Sequence, residues 1–175
     1  MRSLFAAVAV AMFAGSVLAE EKKVTLSGEN TKITWVGTKP GGKHEGGFKT
    51  LTGTATVDGD KLTAVEVNID TTSLYADDAK LTVHLKSPDF FGVKDNPKAT
   101  FKSTKIDNTD GTKITGDLTI NGKTKSITIP VNATVAGGTV KITGDVSIDK
   151  RDFGMTYGGG KIDDQVAIKV AVEAK

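Results

Sequence analysis

The sequence predicts an all-β protein, an eight-stranded antiparallel barrel with a short helical insert around residues 75–91. Apolar and polar residues alternate along most of the chain, which is typical of strands that are buried on one face. Turn signals separate these segments, among them Asn121-Gly122, a strong hairpin signal. The insert differs because it carries two adjacent phenylalanines, Phe90 and Phe91. Such an insert can close one end of a barrel.

Eight alternating segments account for the predicted strands. In the first half these are Ile33 with Trp35, Leu51–Val57, then Val65, Val67 and Ile69 after the turn signal Asp58-Gly59, and Thr100–Ile106. In the second half they are Ile114, Leu118 and Ile120; Ile127, Ile129 and Val131; Val140, Ile142, Val146 and Ile148; and Val166, Ile168, Val170 and Val172. The intervening positions are polar, so each strand has one face toward water. The interior of such a barrel is either packed with side chains or holds one small ligand.

The insert within residues 71–96 favours a short helix. Leu74, Leu81 and Leu85 could share one helical face, and the Ser87-Pro88 pair would end the helix. Leu81, Val83 and Leu85 also fit an alternating pattern, so a strand stays an alternative for this segment.

Residues 1–19 are expected to form a cleaved signal peptide. Arg2 provides the positive start, Leu4–Val17 is an apolar run, and the small residues that end at Ala19 suit a signal peptidase. The alternative is a membrane anchor, but the run is shorter than the roughly 20 residues of a comfortable span. We therefore expect a single domain over residues 20–175, no membrane span after cleavage, and a periplasmic location, or an extracellular one where there is no outer membrane.

Composition excludes several classes of function. The formal net charge is only +2, so there is no electrostatic footprint for nucleic acid. The chain has no cysteine, which removes thiolate catalysis, thiolate metal sites and a lipid-modified N-terminal cysteine.

The polar residues suggest no catalytic constellation. A metal site would need His44 and His84 to converge with carboxylates such as Asp89 or Asp152. A serine triad could be assembled from Ser73, His84 and Asp89, but their spacing does not call for one. We therefore predict no metal, no cofactor and no enzymatic activity, and we interpret the histidines as polar groups on loops at a barrel mouth.

Large apolar side chains are the remaining candidates for function. They are Trp35, Phe48, Phe90, Phe91, Phe101, Phe153, Met155 and Tyr157. Such residues commonly form an ordinary core. They are also the residues that line apolar ligand pockets, where a few polar groups fix the orientation of the ligand.

Several separated segments, in order, resemble one family. They are Ile33-Thr34-Trp35 with His44 and Gly47-Phe48; Thr72-Ser73-Leu74 followed by the run from His84 to Phe91; Pro97 with Ala99, Thr100 and Phe101; the run from Gly116 to Ile120 with Gly122, Thr124 and Lys125; and the run from Arg151 to Met155. Together they make the chain similar to the YceI-like family of exported, polyisoprenoid-binding, lipocalin-like bacterial proteins.

The resemblance implies a lipocalin-like barrel that holds a polyisoprenoid or other long-chain lipid, with no known catalytic chemistry. The residues expected to line or close the pocket are Trp35, Phe48, Leu74, Leu81, Leu85, Phe90, Phe91, Phe101, Phe153 and Met155. The candidates for its polar mouth are His44, His84, Asp89 and Arg151.

Two other functions stay open at this stage, along with a homodimer as the assembly. The first is an enzyme that acts on a small hydrophobic substrate through His84 and Asp89. The second is a packed barrel that serves as a stress-related partner-binding module.

Overall fold

The alternating pattern produces one antiparallel sheet over residues 21–175, the part of the chain described by this computed structural model. Its strands are β1 (Lys22–Ser27), β2 (Thr31–Lys39), β3 (Gly42–Phe48), β4 (Leu51–Asp58), β5 (Lys61–Asp70), β6 (Leu74–Ala76), β7 (Lys98–Asp107), β8 (Thr112–Ile120), β9 (Lys123–Ala136), β10 (Thr139–Asp149) and β11 (Gln165–Ala174). One helix, α1 (Ala79–Leu85), lies between β6 and β7 in the described region. The expected signal peptide at residues 1–19 lies outside the described residues.

The all-β antiparallel class is confirmed, and turn chemistry sets the register of its hairpins. Between β8 and β9, Asn121 and Gly122 have φ angles of 53° and 70°. Positive φ at both central residues defines the tight turn whose twist matches that of paired strands. The hairpin therefore pairs Ile120 with Lys123 and keeps the apolar residues of both strands on one face.

The sheet has eleven strands rather than the predicted eight. Each of its first three long segments, residues 22–39, 42–58 and 61–76, bends once and is thereby divided into two strands. The bends separate β1 from β2, β3 from β4, and β5 from β6, and they lie side by side. A Cβ on Gly28 would lie 2.2 Å from the carbonyl oxygen of Lys49, and the Lys49 N–H donates to the carbonyl of Ser73 at 3.4 Å. The Thr50 N–H donates to the Ser73 hydroxyl at 3.0 Å. These contacts define a crease that runs across three neighbouring segments.

The crease curls the sheet around an interior. The hydrogen-bonded order is β1-β4-β5-β7-β8-β9-β10-β11-β2-β3-β6. The first bent segment thus contributes β1 next to β4 and β2 next to β11, on the two sides of the curl. β1 also approaches β11, although no ladder joins them.

The interior is packed at one end and open at the other. The packed end lies near the β4–β5 and β9–β10 turns, and its residues are at most 3% exposed: Val24, Ala55, Val57, Leu62, Val140 and Ala174. Toward the other end, the inward residues of β2 and β11, such as Trp35, Ile168 and Val170, are only half-buried. α1 and the segment after it lie over this open end. The predicted helix is therefore confirmed, although Leu74 lies in β6 and not on the helix, because pairing of β6 with β3 extends the sheet to residue 76.

A glycine in β3 gives a test of this packing. A Cβ on Gly46 would lie 2.1 Å from the Tyr75 carbonyl oxygen and 2.6 Å from Cζ2 of Trp35. We expect Gly46→Ala to lower the free energy of unfolding by about 1–3 kcal/mol, as overpacked cores do. Gly37→Ala in β2 is the matched control, because nothing lies within 4 Å of its added Cβ. Urea unfolding of both variants checks this, and equal stability of the two would contradict it.

Candidate functional site: an apolar cavity with a polar mouth

The curled sheet encloses an apolar cavity of about 240 Å³. Smaller cavities of about 150 Å³ with aliphatic and aromatic walls stay dry and bind benzene. The strands contribute Leu26, Ile33, Trp35, Phe48, Val65, Val67, Ile69, Ala99, Phe101, Ile114, Leu118, Ile120, Ile127, Ile129, Val131, Ile142, Val146, Ile148, Val166, Ile168, Val170 and Val172 to its wall. The cavity can therefore take an apolar ligand larger than a single aromatic ring.

Two parts of the chain cover the open end of the cavity, and the first of these is α1 with the segment that follows it. The carboxylate of Asp78 caps the helix by accepting from the Leu81 N–H at 2.7 Å. Leu81 and Leu85 are four residues apart, so they share one helical face, and both line the cavity. The exposed Val83 points away from it.

The segment after α1 turns back over the cavity. The Phe91 N–H donates to the Leu85 carbonyl at 3.0 Å, and Phe90 and Phe91 both contribute to the cavity wall. The Phe91 ring meets that of Phe48 edge-to-face, with centroids 5.8 Å apart. This pair joins the insert to β3.

The second part of the cover follows β10. Residues Lys150–Phe153 form a short 3-10 turn, after which Met155 and Ile162 reach the cavity wall. The side-chain amide of Asn121 donates to the carbonyls of Phe90 and Phe153, at 3.2 and 3.4 Å. One turn residue therefore ties both parts of the cover to the β8–β9 hairpin. The sequence marked Asn121 only as a turn former, because its amide contacts depend on tertiary structure.

Ten of the fourteen residues predicted for the site lie on the cavity wall: Trp35, His44, Phe48, Leu81, Leu85, Phe90, Phe91, Phe101, Phe153 and Met155. The other four, Leu74, His84, Asp89 and Arg151, are outside it. Leu74 is 1% exposed and belongs to the packed core. Contact of any of these residues with a ligand stays a prediction.

His84 and Asp89 form an exposed pair on the outside of the cover, with Nε2 and Oδ2 3.1 Å apart. The His84 ring also meets the rings of Phe90 and Tyr157 edge-to-face, with centroids 5.1 and 4.6 Å away. These contacts join α1 to the glycine-rich loop that carries Tyr157.

Apart from Thr31 and Thr34, which lie farther along β2, the other polar residues of the wall gather near its opening, between the β2–β3 hairpin and the loop before β11. They include Thr38, Lys39, His44 and Asp163. The Thr38 hydroxyl donates to Oδ2 of Asp163 at 2.5 Å, and the Asp163 N–H donates to the Thr38 carbonyl at 2.9 Å. Sequence reasoning found only His44 in this group. Thr38 and Lys39 end an alternating strand and look like ordinary surface residues.

His44 lies between two charged side chains at this mouth. Its Nδ1 is 3.0 Å from Oδ1 of Asp77, and its Nε2 is 3.3 Å from Nζ of Lys39. Partial burial raises the pKa of Asp77, but hydrogen bonds from His44 and from the Glu45 N–H more than offset this, so the net pKa lies below 3.8. Asp77 is therefore ionised at neutral pH.

Arg151 belongs to an ion-pair network beside the mouth. Its guanidinium binds Asp149, with Nε–Oδ1 at 3.0 Å and Nη2–Oδ2 at 2.5 Å, and it also contacts Asp164 at 3.1 Å. Asp164 in turn pairs with the buried ammonium of Lys150, whose side chain is 6% exposed. Lys150 contributes to the cavity wall, and this buried lysine was not anticipated from the sequence.

Residues 21–175 contain neither a metal-binding cluster nor a membrane-spanning helix. No three His, Asp or Glu side chains in this range gather closely enough to hold a metal ion. No helix in the same range is long and apolar enough to cross a bilayer.

Together, the curled antiparallel sheet and its internal apolar cavity define a lipocalin-like class of fold. The chain belongs to the YceI-like family, because the YceI-like domain matches residues 20–174. The family membership that the ordered segments predicted is therefore confirmed.

Comparisons with individual proteins agree with this assignment. A UPF0312 protein of Pseudomonas paraeruginosa is 36% identical over 116 residues, which cover 62% of this chain and 61% of the relative. The chain thus spans about three fifths of the length of that curated relative. BcnA of Burkholderia cenocepacia, whose crystal structure is known, superposes with a TM-score of 0.76 at 28% identity, over 83% of this chain and 96% of BcnA.

A more distant structure shares the fold alone. It is a polyisoprenoid binding domain from Saccharophagus degradans, implicated in plant cell wall breakdown. It superposes with a TM-score of 0.68 at 14% identity, over 90% of this chain and 98% of that domain.

The buried Lys150–Asp164 pair predicts an asymmetric response to substitution. Asp164→Asn leaves a buried ammonium without its carboxylate and should cost about 2 kcal/mol of stability. This is less than a fully buried pair would lose, because Asp164 is 30% exposed. Lys150→Met replaces the ammonium by an apolar group of similar length and should cost less. Urea unfolding of the two variants decides, and a larger loss in Lys150→Met would contradict the expectation.

We expect Asp149 to account for part of the loss of folding stability in acid. Hydrogen bonds from Arg151 lower the pKa of Asp149 to about 2 from 3.8. A carboxylate with a depressed folded-state pKa contributes stability above its unfolded pKa and loses it as pH falls through the folded value. Asp149→Asn should therefore flatten the fall of stability between pH 3.8 and about 2. Asp110→Asn, in the exposed β7–β8 turn, is the control and should leave the dependence of the unfolding free energy on pH as in the wild type. Urea unfolding at several pH values checks both variants, and an Asp149→Asn curve parallel to that of the wild type would contradict the expectation.

Proposed function

We propose that this chain is an exported binding protein that holds the apolar chain of a polyisoprenoid or similar long-chain lipid in its cavity, for transport, storage or sequestration. The observation that carries the proposal is the cavity wall, which is apolar over almost its whole extent. The distant Saccharophagus domain, a polyisoprenoid binding domain with the same fold, supports the choice of ligand class. Export to the periplasm rests on the sequence of residues 1–19.

The energetics of burial favour such a ligand. Each methylene moved from water into an apolar site contributes roughly 0.8 kcal/mol. A five-carbon isoprene unit then contributes about 3–4 kcal/mol before the ligand's ordering cost is subtracted. A few buried units suffice for useful affinity without any charged contact.

The two alternatives have less support. The enzyme hypothesis relied on His84 and Asp89, which do form a pair, but the pair lies on the outer surface of the cover and not on the cavity wall. The packed-barrel hypothesis requires a filled interior, whereas these side chains enclose about 240 Å³.

Extraction of the protein, purified natively from the compartment where it accumulates, tests the ligand class. Organic extraction followed by mass spectrometry should release a stoichiometric prenyl or other long-chain lipid. A clean extract, repeated after incubation with membrane lipids, would count against a lipid carrier and favour the partner-binding alternative.

Phe91 offers a sharper test of the site, because it is half-buried on the cavity wall and pairs with Phe48. We expect Phe91→Ala to release a bound apolar fluorescent naphthylamine at least about tenfold faster, since roughly 1.4 kcal/mol of contact corresponds to that factor. Phe90→Ala should weaken retention too, but at a larger cost in stability, because Phe90 is 6% exposed.

Tyr75→Ala is the control for both variants, because Tyr75 is a partly exposed aromatic residue outside the cavity wall. Release rates are measured by stopped-flow fluorescence and stability by urea unfolding. If Phe91→Ala lost stability while its folded fraction released the probe at the wild-type rate, Phe91 would be a core residue and not part of a binding site.

A further inference from the structure

The charged side chains of the cavity wall lie at or beside its mouth, and they are of both signs. Lys39 brings one positive charge, and the carboxylates of Asp77 and Asp163 bring two negative ones. Lys39, His44 and Asp163 line the cavity, and Asp77 lies directly behind His44. Residues deeper on the β2 wall are uncharged, since Ile33 and Trp35 are apolar and Thr31 and Thr34 carry only hydroxyl groups. A ligand whose chain fills the cavity would therefore place its head group among the charged side chains of the mouth.

His44 contacts a charged side chain through each of its ring nitrogens. The Lys39 ammonium has no acceptor, so Nε2 can only accept from it, and in that tautomer Nδ1 donates to Asp77. His44 therefore lies against a carboxylate of its own, that of Asp77. Lys39 remains the cation at the opening, and two of its three N–H groups are free of the His44 contact.

The neighbouring charges do not change this balance. Lys43 on β3 pairs with Glu45 at 3.3 Å. Lys150, the other lysine of the wall, is bound to Asp164. Arg151 is held by Asp149 and Asp164. Lys161, in the loop before β11, is a further exposed cation beside the mouth. The five basic side chains Lys39, Lys43, Lys150, Arg151 and Lys161 are thus matched in number by five carboxylates, those of Glu45, Asp77, Asp149, Asp163 and Asp164, so the mouth has no surplus of positive charge for an anion.

We propose that this mouth is a head-group subsite for an uncharged, hydroxyl-bearing lipid, and that it disfavours the phosphorylated form of the same lipid. The inference rests on the proposed lipid-binding function and narrows its ligand class. A hydroxyl group both donates and accepts, so it can donate to Asp163 and accept from Lys39 at the same time. A phosphate monoester carries about −1.5 to −2 charge near neutral pH and only accepts, so it would face the carboxylates of Asp163 and Asp77.

Three probes with the same prenyl chain separate the chain's contribution from that of the head group. They are farnesene, which has no polar head, farnesol, and farnesyl monophosphate. Each competes with a bound apolar fluorescent naphthylamine near neutral pH, below the concentration at which it forms micelles. We expect farnesol to bind more tightly than farnesene, and about tenfold more tightly than farnesyl monophosphate, a ratio that like-charge repulsion at a partly wet site can supply.

Two variants assign the selectivity to the mouth. Asp163→Asn should raise the affinity for farnesyl monophosphate by about fivefold and leave farnesene unchanged, because it removes one negative charge from the opening. Lys39→Met should reduce the preference for farnesol over farnesene. Asp110→Asn, which removes a carboxylate from the exposed β7–β8 turn, is the control and should change none of the three affinities.

The outcomes distinguish this subsite from the function on which it rests. The proposed subsite would be overturned if farnesyl monophosphate bound as tightly as farnesol, or if Asp163→Asn left the affinity for farnesyl monophosphate unchanged. Either result would leave the proposed lipid binding intact. Failure of all three probes to displace the naphthylamine would overturn the proposed function, and the subsite with it.

Discussion

The crease across the first three long segments is the constraint on which the rest of the structure depends. Gly28, Lys49 and Ser73 lie side by side at the three bends, and Gly28 allows the backbone of Lys49 to approach where any Cβ would collide. Without coordinated bends, β2 and β1 could not pair with strands on the two sides of the curl. The enclosed interior, the position of the insert and the mouth all follow from that geometry.

The two ends of the interior differ because different elements complete them. At the packed end, residues such as Ala55 and Val140 are excluded from solvent by neighbouring strands alone. At the other end the sheet is finished by two irregular segments, which Asn121 connects through its amide. Irregular segments fill space less uniformly than paired strands do, and the cavity lies beneath them. The same asymmetry gives the interior one wet opening.

Charge at the opening is distributed in pairs. Most of the basic groups near the mouth are already bound by carboxylates, with Lys150 and Arg151 sharing Asp164. Such a network fixes the loop before β11 and leaves little net charge. The apolar wall and the balanced mouth therefore both support the proposal of an uncharged amphiphile whose affinity would come mainly from burial of its chain.

Sequence alone determined the fold class, most of the strands, the helical insert and the family. Alternation sufficed for β5 and β8 to β11 because a strand with one wet face records its burial directly in its residue types. The aromatic residues of the wall, such as Phe91 and Phe101, were also found, because aromatic side chains are scarce in this chain. The same reasoning could not separate wall from core, which is why Leu74 was included in the site.

Tertiary structure decided the crease, the cavity and the composition of the mouth. The bends depend on backbone contacts between residues 28, 49 and 73, which are far apart in sequence and carry no local signal. Thr38 and Asp163 meet only because β2 pairs with β11. His84 and Asp89 were grouped correctly as neighbours, yet His84 on α1 and Asp89 in the segment after it both lie outside the cavity wall. Periodicity records whether a residue is buried, but only the folded chain decides which residues it is buried against.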